Sequence, residues 1–285
     1  DLSILSMGMS GDYQLAIKSF EKADNNHKLG IALMGLAVLH TNAGEFLQSI
    51  DLGERAISLI DSDFDEQSTL SCYHNMSIIQ QNVGNFEEAE FYTRLTYDLA
   101  IEQKDKRVKS LCLNIFVDYN LKAGKFKEAL DTAFLALNYA KELSNPTMFA
   151  MSYYKIAKIN VNLKEYNEAL VWTQKLDSVN KLTNASEYII KSNQLKLDIY
   201  LKNGEYKKAE KAGLNGLVVA RKDKQILDEI IILKRLAKVA KANNQNSLAA
   251  KYLFELLELE DNTAKDKSAK LGIKQVLQYQ FEKQK

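Results

Sequence analysis

Apolar residues along this chain fall at steps of three and four, and short polar phrases interrupt them at a fixed stride. After Phe126 the dry positions are Ala129, Leu130, Ala133, Phe134, Leu137 and Ala140. Before Gly124 they are Leu113, Phe116, Val117 and Leu121. That spacing keeps one face of an α-helix apolar. The interruptions are near copies of one another: Gly11-Asp12-Tyr13, Gly44-Glu45-Phe46, Gly84-Asn85-Phe86, Gly124-Lys125-Phe126, Lys164-Glu165-Tyr166 and Gly204-Glu205-Tyr206. Asn244-Gln245-Asn246 is a worn seventh copy. The first step is 33 residues and every later one is 40. A small residue follows three after each aromatic: Ala16, Ser49, Ala89, Ala129, Ala169 and Ala209. Forty residues accommodate two helices of about 16 residues, each about 24 Å long, with two short connections.

Each part of the phrase has a predicted job. The glycine suits a helix C-terminus, where a left-handed residue releases the chain. The acidic or amide residue after it can cap the next helix. The aromatic plugs the seam of the hairpin, and the small residue lets the two backbones approach. Lys164, standing in the glycine position, is expected to strain its turn modestly. The pattern predicts second helices near 12–24, 46–60, 86–102, 126–142, 166–181, 206–221 and 246–260. First helices fall near 27–42, 67–82, 106–122, 146–162, 186–202 and 226–242. The one proline, Pro146, sits at a first helical turn, where its missing N–H is harmless. Residues 1–9 read as the remnant of another first helix. In 266–285, Ile273, Val276, Leu277 and Phe281 share one face and are expected to cap the last repeat.

A fixed period of this size marks an array of supersecondary units, each burying its apolar face against its neighbours. The phrase Gly-acid-aromatic-x-x-Ala, after a helix with Leu and a small residue near its middle, resembles the tetratricopeptide repeat. Leu33, Leu36, Ala37 and His40 stand at that family's Trp, Leu, Gly and Tyr positions; Tyr153, Ile156, Ala157 and Asn160 do so around Lys164. The period is 40 instead of 34 and the closing proline is absent, which suits the long-helix variety. HEAT repeats have a similar period but lack this turn. The resemblance implies an all-α, right-handed superhelical solenoid of about seven hairpins over 1–260, with turns near 11, 44, 84, 124, 164, 204 and 244. Residues 261–285 follow as a C-terminal helix.

Composition narrows the classes further. One proline and twelve glycines leave little room for a turn-rich β protein. The net charge of +1 hides an asymmetry: residues 1–100 carry 5 basic and 15 acidic side chains, whereas residues 201–285 carry 18 and 11. Such opposed fields can orient a partner; drift of composition on solvated helix faces is the plainer reading. There is no dense basic stripe of the kind a nucleic-acid binder needs. Cys72 and Cys112 occupy equivalent positions in adjacent repeats, at a stacking distance of roughly 9–10 Å that is too long for a disulfide. Both read as packing residues. No apolar run approaches the ~20 residues of a membrane span. The chain opens at Asp1 without a signal-like segment, and is expected to be a processed or excised portion.

Chemistry is sparse. His27, His40 and His74 show no metal-pair spacing. Asp61, Asp63 and Asp65 open like an EF-hand loop, but its glycine and closing glutamate positions hold Glu66 and Cys72. No phosphate loop or nucleophile elbow appears. We therefore expect a non-catalytic chain without cofactor or metal.

A binding groove is the stronger expectation, because stacked hairpins present their first helices along a concavity. The resemblance implies that positions ten, six and three before each turn face inward. The first set reads Met34, His74, Asn114, Tyr154, Gln194 and Lys234; the second reads Val38, Ile78, Asp118, Lys158, Asp198 and Lys238. The third ends in Lys241. Asn114 and Gln194 could bind an extended peptide's backbone, Tyr154 could offer an aromatic platform, and Lys234, Lys238 and Lys241 a cationic end. The alternative is that these are only the polar sides of amphipathic helices. Phe116, Tyr153 and Trp172 read as core.

Leu259-Glu260-Asp261, Lys265 to Ser268, Gln275 and Tyr279 to Lys283 resemble the exit helix of bacterial membrane-anchored sensors. In those, long tetratricopeptide repeats lie outside the membrane and lead to a histidine kinase or a DNA-binding output domain. That resemblance implies the extracytoplasmic, or periplasmic, sensory part of such a signalling regulator. Its partner would be a protein or peptide ligand, with a homodimer as a further expectation. A cytosolic peptide-pheromone receptor, preceded by a DNA-binding or effector-binding helical domain, is the second reading. A plain assembly scaffold is the third.

Overall fold

The computed structural model describes the backbone of residues 2–60, 65–183 and 185–265, and the side chains of 10–60, 65–183 and 185–261. Thirteen helices account for nearly all of it, packed in sequential hairpins of the tetratricopeptide-like solenoid type. They are α1 (Leu2–Lys22), α2 (Asn26–Asn42), α3 (Phe46–Ser58), α4 (Glu66–Val83), α5 (Phe86–Glu102), α6 (Lys106–Lys122), α7 (Phe126–Glu142), α8 (Pro146–Asn162), α9 (Tyr166–Thr183), α10 (Ser186–Lys202), α11 (Tyr206–Lys222), α12 (Ile226–Ala242) and α13 (Asn246–Lys265). One correction concerns the start: no turn forms near Gly11, because α1 runs unbroken through it. The segment 266–285, expected to cap the array, lies outside the described residues.

The backbone repeat is half the length of the sequence repeat. From α2 onward every helix starts 20 residues after the one before, at positions 26, 46, 66 and so on to 246. A left-handed residue stands two before most of these starts: Asp24, Lys104, Ser144, Lys164, Lys224 and Asn244, along with Gly44, Gly84, Gly124 and Gly204. Around each, the closing hydrogen bonds follow one rule. Glu45 N–H donates to the His40 carbonyl and Gly44 N–H to Thr41; Glu165 donates to Asn160 and Lys164 to Val161. These are the paired six-to-one and five-to-two bonds of a Schellman ending.

Capping differs from expectation. The residues after the phrase glycine, Glu45, Asn85, Lys125 and Glu205, make no side-chain cap. The caps fall in the alternate turns, where Asn25, Asp65, Asp105 and Asn145 accept from the N–H groups of Lys28, Ser68, Val108 and Met148. Asp65 thus ends its acidic run as a helix cap, its carboxyl held low by two bonds from Ser68; residues 61–64 lie outside the described set.

The described chain divides into two compact units, one up to Val108 and one from Lys109 to Lys265. In the first, Leu33, Met76 and Ile79 are fully buried among Ala37, Ala56 and Ile50. In the second, Ile156, Leu137 and Trp172 centre one cluster, and Leu197, Ile232, Leu233 and Leu236 another. The small residues of the phrases pack as expected, since Ser49, Ala89, Ala129, Ala169 and Ala209 are completely buried. Where serine replaces alanine, its hydroxyl donates to the Ala37 carbonyl at 2.8 Å. Cys72 and Cys112 are both buried thiols.

Candidate functional site

In the second unit, α6, α8, α10 and α12 stand side by side, each the first helix of its hairpin. α8 packs on α10 and α10 on α12, and an Asp118–Lys155 ion pair ties α6 to α8. Helical periodicity brings residues ten and six before each turn, about one turn apart, onto one side of each helix, where all but the buried Asn114 are half-buried or exposed.

Most of the predicted residues meet there. Asp118 lies between Lys155, with which it pairs closely, and Lys158, whose Nζ is 4.0 Å away. The Lys158 ammonium also stands 5.9 Å from the Tyr154 ring centre. Tyr154 meets Tyr188 edge-on at 6.4 Å, and the Lys191 ammonium sits 5.2 Å from both rings. Gln194 donates its amide to Asp228 at 2.8 Å, and Asp198 pairs with Arg235 at 3.1 Å. Lys238 lies close enough to Asp198 to lower its pKa.

Burial sets the electrostatics. It pushes the Tyr154 phenol up to about 12, with Asp118 adding in the same sense. Lys155, its side chain only 13% exposed, has its pKa lowered by burial against the pull of Asp118. Asp198 is raised by burial, opposed by Arg235, Lys238 and Lys202.

Four predicted residues behave otherwise. Asn114 is 2% exposed, its Nδ2 donates to the Ser110 carbonyl of its own helix, and its Oδ1 is buried with no hydrogen-bond partner. It lies beneath the face and is closed to a ligand. Lys234 turns toward α13 and pairs with Glu260 at 2.8 Å, while Lys238 and Lys241 are exposed. His74 belongs to the first unit: its Nδ1 is buried without a hydrogen-bond partner, and burial, then Arg107, lowers its pKa. Met34, also of the first unit, is core.

Sequence reasoning missed Lys155 and Arg235, nine before their turns, and Tyr188 and Asp228, sixteen before theirs. Both pairs sit at equivalent repeat positions, so a wider scan of the register would have found them. Trp172 is core as expected: it packs on Phe134 and Tyr153, donates to Glu168 and carries Lys175 over its face. Phe116 is half-buried. No group of three metal-ligating side chains exists among the described residues.

What forms is a face of aromatic rings, ammonium groups and an amide, groups whose chemistry is stacking, charge pairing and hydrogen bonding. The fold resembles that of the Rap proteins. The structure of RapI in its apo form matches with a TM-score of 0.72 at 14% identity, over 89% of this chain and 90% of that one. The Rap conjugation gene regulator of plasmid pLS20, solved in complex with the Phr* peptide, matches at 0.66 and 13%, over 94% and 73%. A Rap protein complexed with competence and sporulation factor matches at 0.61 and 16%, over 93% and 89%. No protein-family model and no curated protein matches the sequence.

Proposed function

We propose that this chain is a non-catalytic receptor for an extended peptide, held along α8, α10 and α12, and that occupancy regulates a signalling protein. The observation that carries the reading is Tyr154, flanked by Tyr188, Lys158 and Lys191 on a ridge shared by consecutive first helices. An aromatic platform ringed by cations and one amide binds backbone and side chains of a strand without reacting with them. The shared fold supports the same reading, since one of the similar structures holds a peptide. That likeness favours peptide reception over the membrane-anchored sensor reading. Most of the segment behind the sensor resemblance lies outside the described residues.

The test is selection of a random heptapeptide library on the intact chain, with affinities measured by titration calorimetry. The reading expects enriched sequences with dissociation constants of about 1 μM or below, equivalent to roughly −8 kcal/mol. It expects Tyr154→Ala to weaken them at least ~10-fold, the range of a lost aromatic and cation contact. Selection without enrichment, or affinities indifferent to Tyr154, would defeat it.

A further inference from the structure

The charged face of the second unit contains the same constellation twice, offset by 80 residues. Asp118, Lys122, Lys155 and Lys158 recur as Asp198, Lys202, Arg235 and Lys238. Each set spans two neighbouring first helices, α6 with α8 and α10 with α12. In both, the central carboxylate takes an ion pair from the residue nine before the next turn, Lys155 or Arg235. In both, the two other cations lie within electrostatic range of the carboxylate or one another. Each set therefore holds three cations against one carboxylate. The intervening repeat breaks the pattern: its equivalents are Lys158, Asn162, Leu195 and Asp198. Between the sets lie the Tyr154–Tyr188 pair, Lys191 already bonded to Glu187, and Gln194 bonded to Asp228.

Building on the peptide-receptor reading, we propose that this face recognises an acidic peptide with two carboxylate side chains about six residues apart, one for each constellation. Two first-helix layers at 8–10 Å each separate the sets by roughly 20 Å. An extended strand rises about 3.3 Å per residue, so about six residues cover that distance. The tyrosine pair falls midway, under the strand's uncharged centre. Carboxylate fits better than a nucleic-acid strand, whose unbroken row of phosphates would also lie against Glu187 and Asp228 between the sets.

The test uses the full chain and fluorescein-labelled seven-residue peptides with a Ser-Gly interior in polarisation titrations at low salt. One peptide carries glutamate at its first and last positions, a second carries adjacent glutamates, and a third carries terminal lysines. A short oligothymidylate is the fourth probe. The first peptide is expected to bind at least ~10-fold tighter than the second, with no measurable binding of the third. Lys158→Glu and Lys238→Glu should each weaken the first peptide ~10-fold or more with helical content retained, while Lys207→Glu on the second-helix side should leave that affinity unchanged. Equal binding of the two acidic peptides, or equally tight binding of oligothymidylate, overturns the spacing rule. If library peptides depend on Tyr154 yet show no acidic spacing, this inference fails and the receptor reading stands. If no peptide binds at all, both fail.

Discussion

At the scale of single residues, the left-handed positions show how loosely a turn can constrain its side chain. Gly124 and Lys164 occupy equivalent turns with φ of 72° and 64°. A side chain there costs roughly 1–2 kcal/mol of local strain, partly offset because it stiffens the unfolded chain. Nothing crowds Gly124, so Gly124→Ala should lower stability by about 1 kcal/mol through backbone strain alone. Lys164→Gly should raise it by about 0.5–1 kcal/mol. Urea unfolding of the two variants should move in opposite directions. Cys72 permits a pH prediction. Burial pushes its thiol from 9.0 to about 11, so the folded chain keeps a proton that the unfolded chain releases between those values. That stabilising difference is present below pH 9 and fades as the pH rises toward 11. Cys72→Ala should therefore lose less stability than the parent between pH 8.5 and 11, measured as the urea midpoint. His74 runs the other way. Its lowered pKa makes it resist protonation when folded, so stability falls as pH drops below about 6.5, and His74→Gln should blunt that fall.

At the scale of elements, the 17-residue helix plus three-residue turn is the unit the backbone repeats. The sequence advertised only alternate turns, because glycine marks them; Asp24, Lys104, Ser144 and Lys224 carry the same geometry without a distinctive residue. The same masking hid the caps. A capping carboxylate or amide follows the unmarked turns, at Asn25, Asp65, Asp105 and Asn145, where the eye has no glycine to anchor the count. Helix contacts also decide which glycines are replaceable. A Cβ on Gly213 would lie 2.5 Å from Leu236 and 2.7 Å from Leu197, both fully buried and unable to withdraw. Gly213→Ala should cost about 1–3 kcal/mol despite the better helix propensity of alanine. At Gly53 the near neighbour is the Met76 sulfur, 2.9 Å away on a buried but unbranched side chain that can change rotamer, so Gly53→Ala should cost less than Gly213→Ala. Thermal unfolding of this pair separates packing from propensity.

At the scale of the whole molecule, stability in an array is the sum of local interfaces, and a core defect should stay local. Leu233, on α12, is 1% exposed in a cluster drawn from α10, α11, α12 and α13. Leu233→Ala should cost about 2–5 kcal/mol. Hydrogen exchange should show the lost protection concentrated in α10–α13, with α2–α4 unchanged. The chain alone determined the all-α hairpin array and most helix bounds, because apolar periodicity and a recurring turn are properties of consecutive residues. It determined neither the continuity of α1 through Gly11, where one glycine cannot say whether a helix ends, nor the fates of the predicted groove residues. Asn114 sank into its own helix, Lys234 turned to Glu260, and Lys155 and Arg235 joined the face from unpredicted positions. Most of those outcomes depend on neighbours far along the chain, which a local pattern does not contain. Packing of one first helix against the next chose which charges meet.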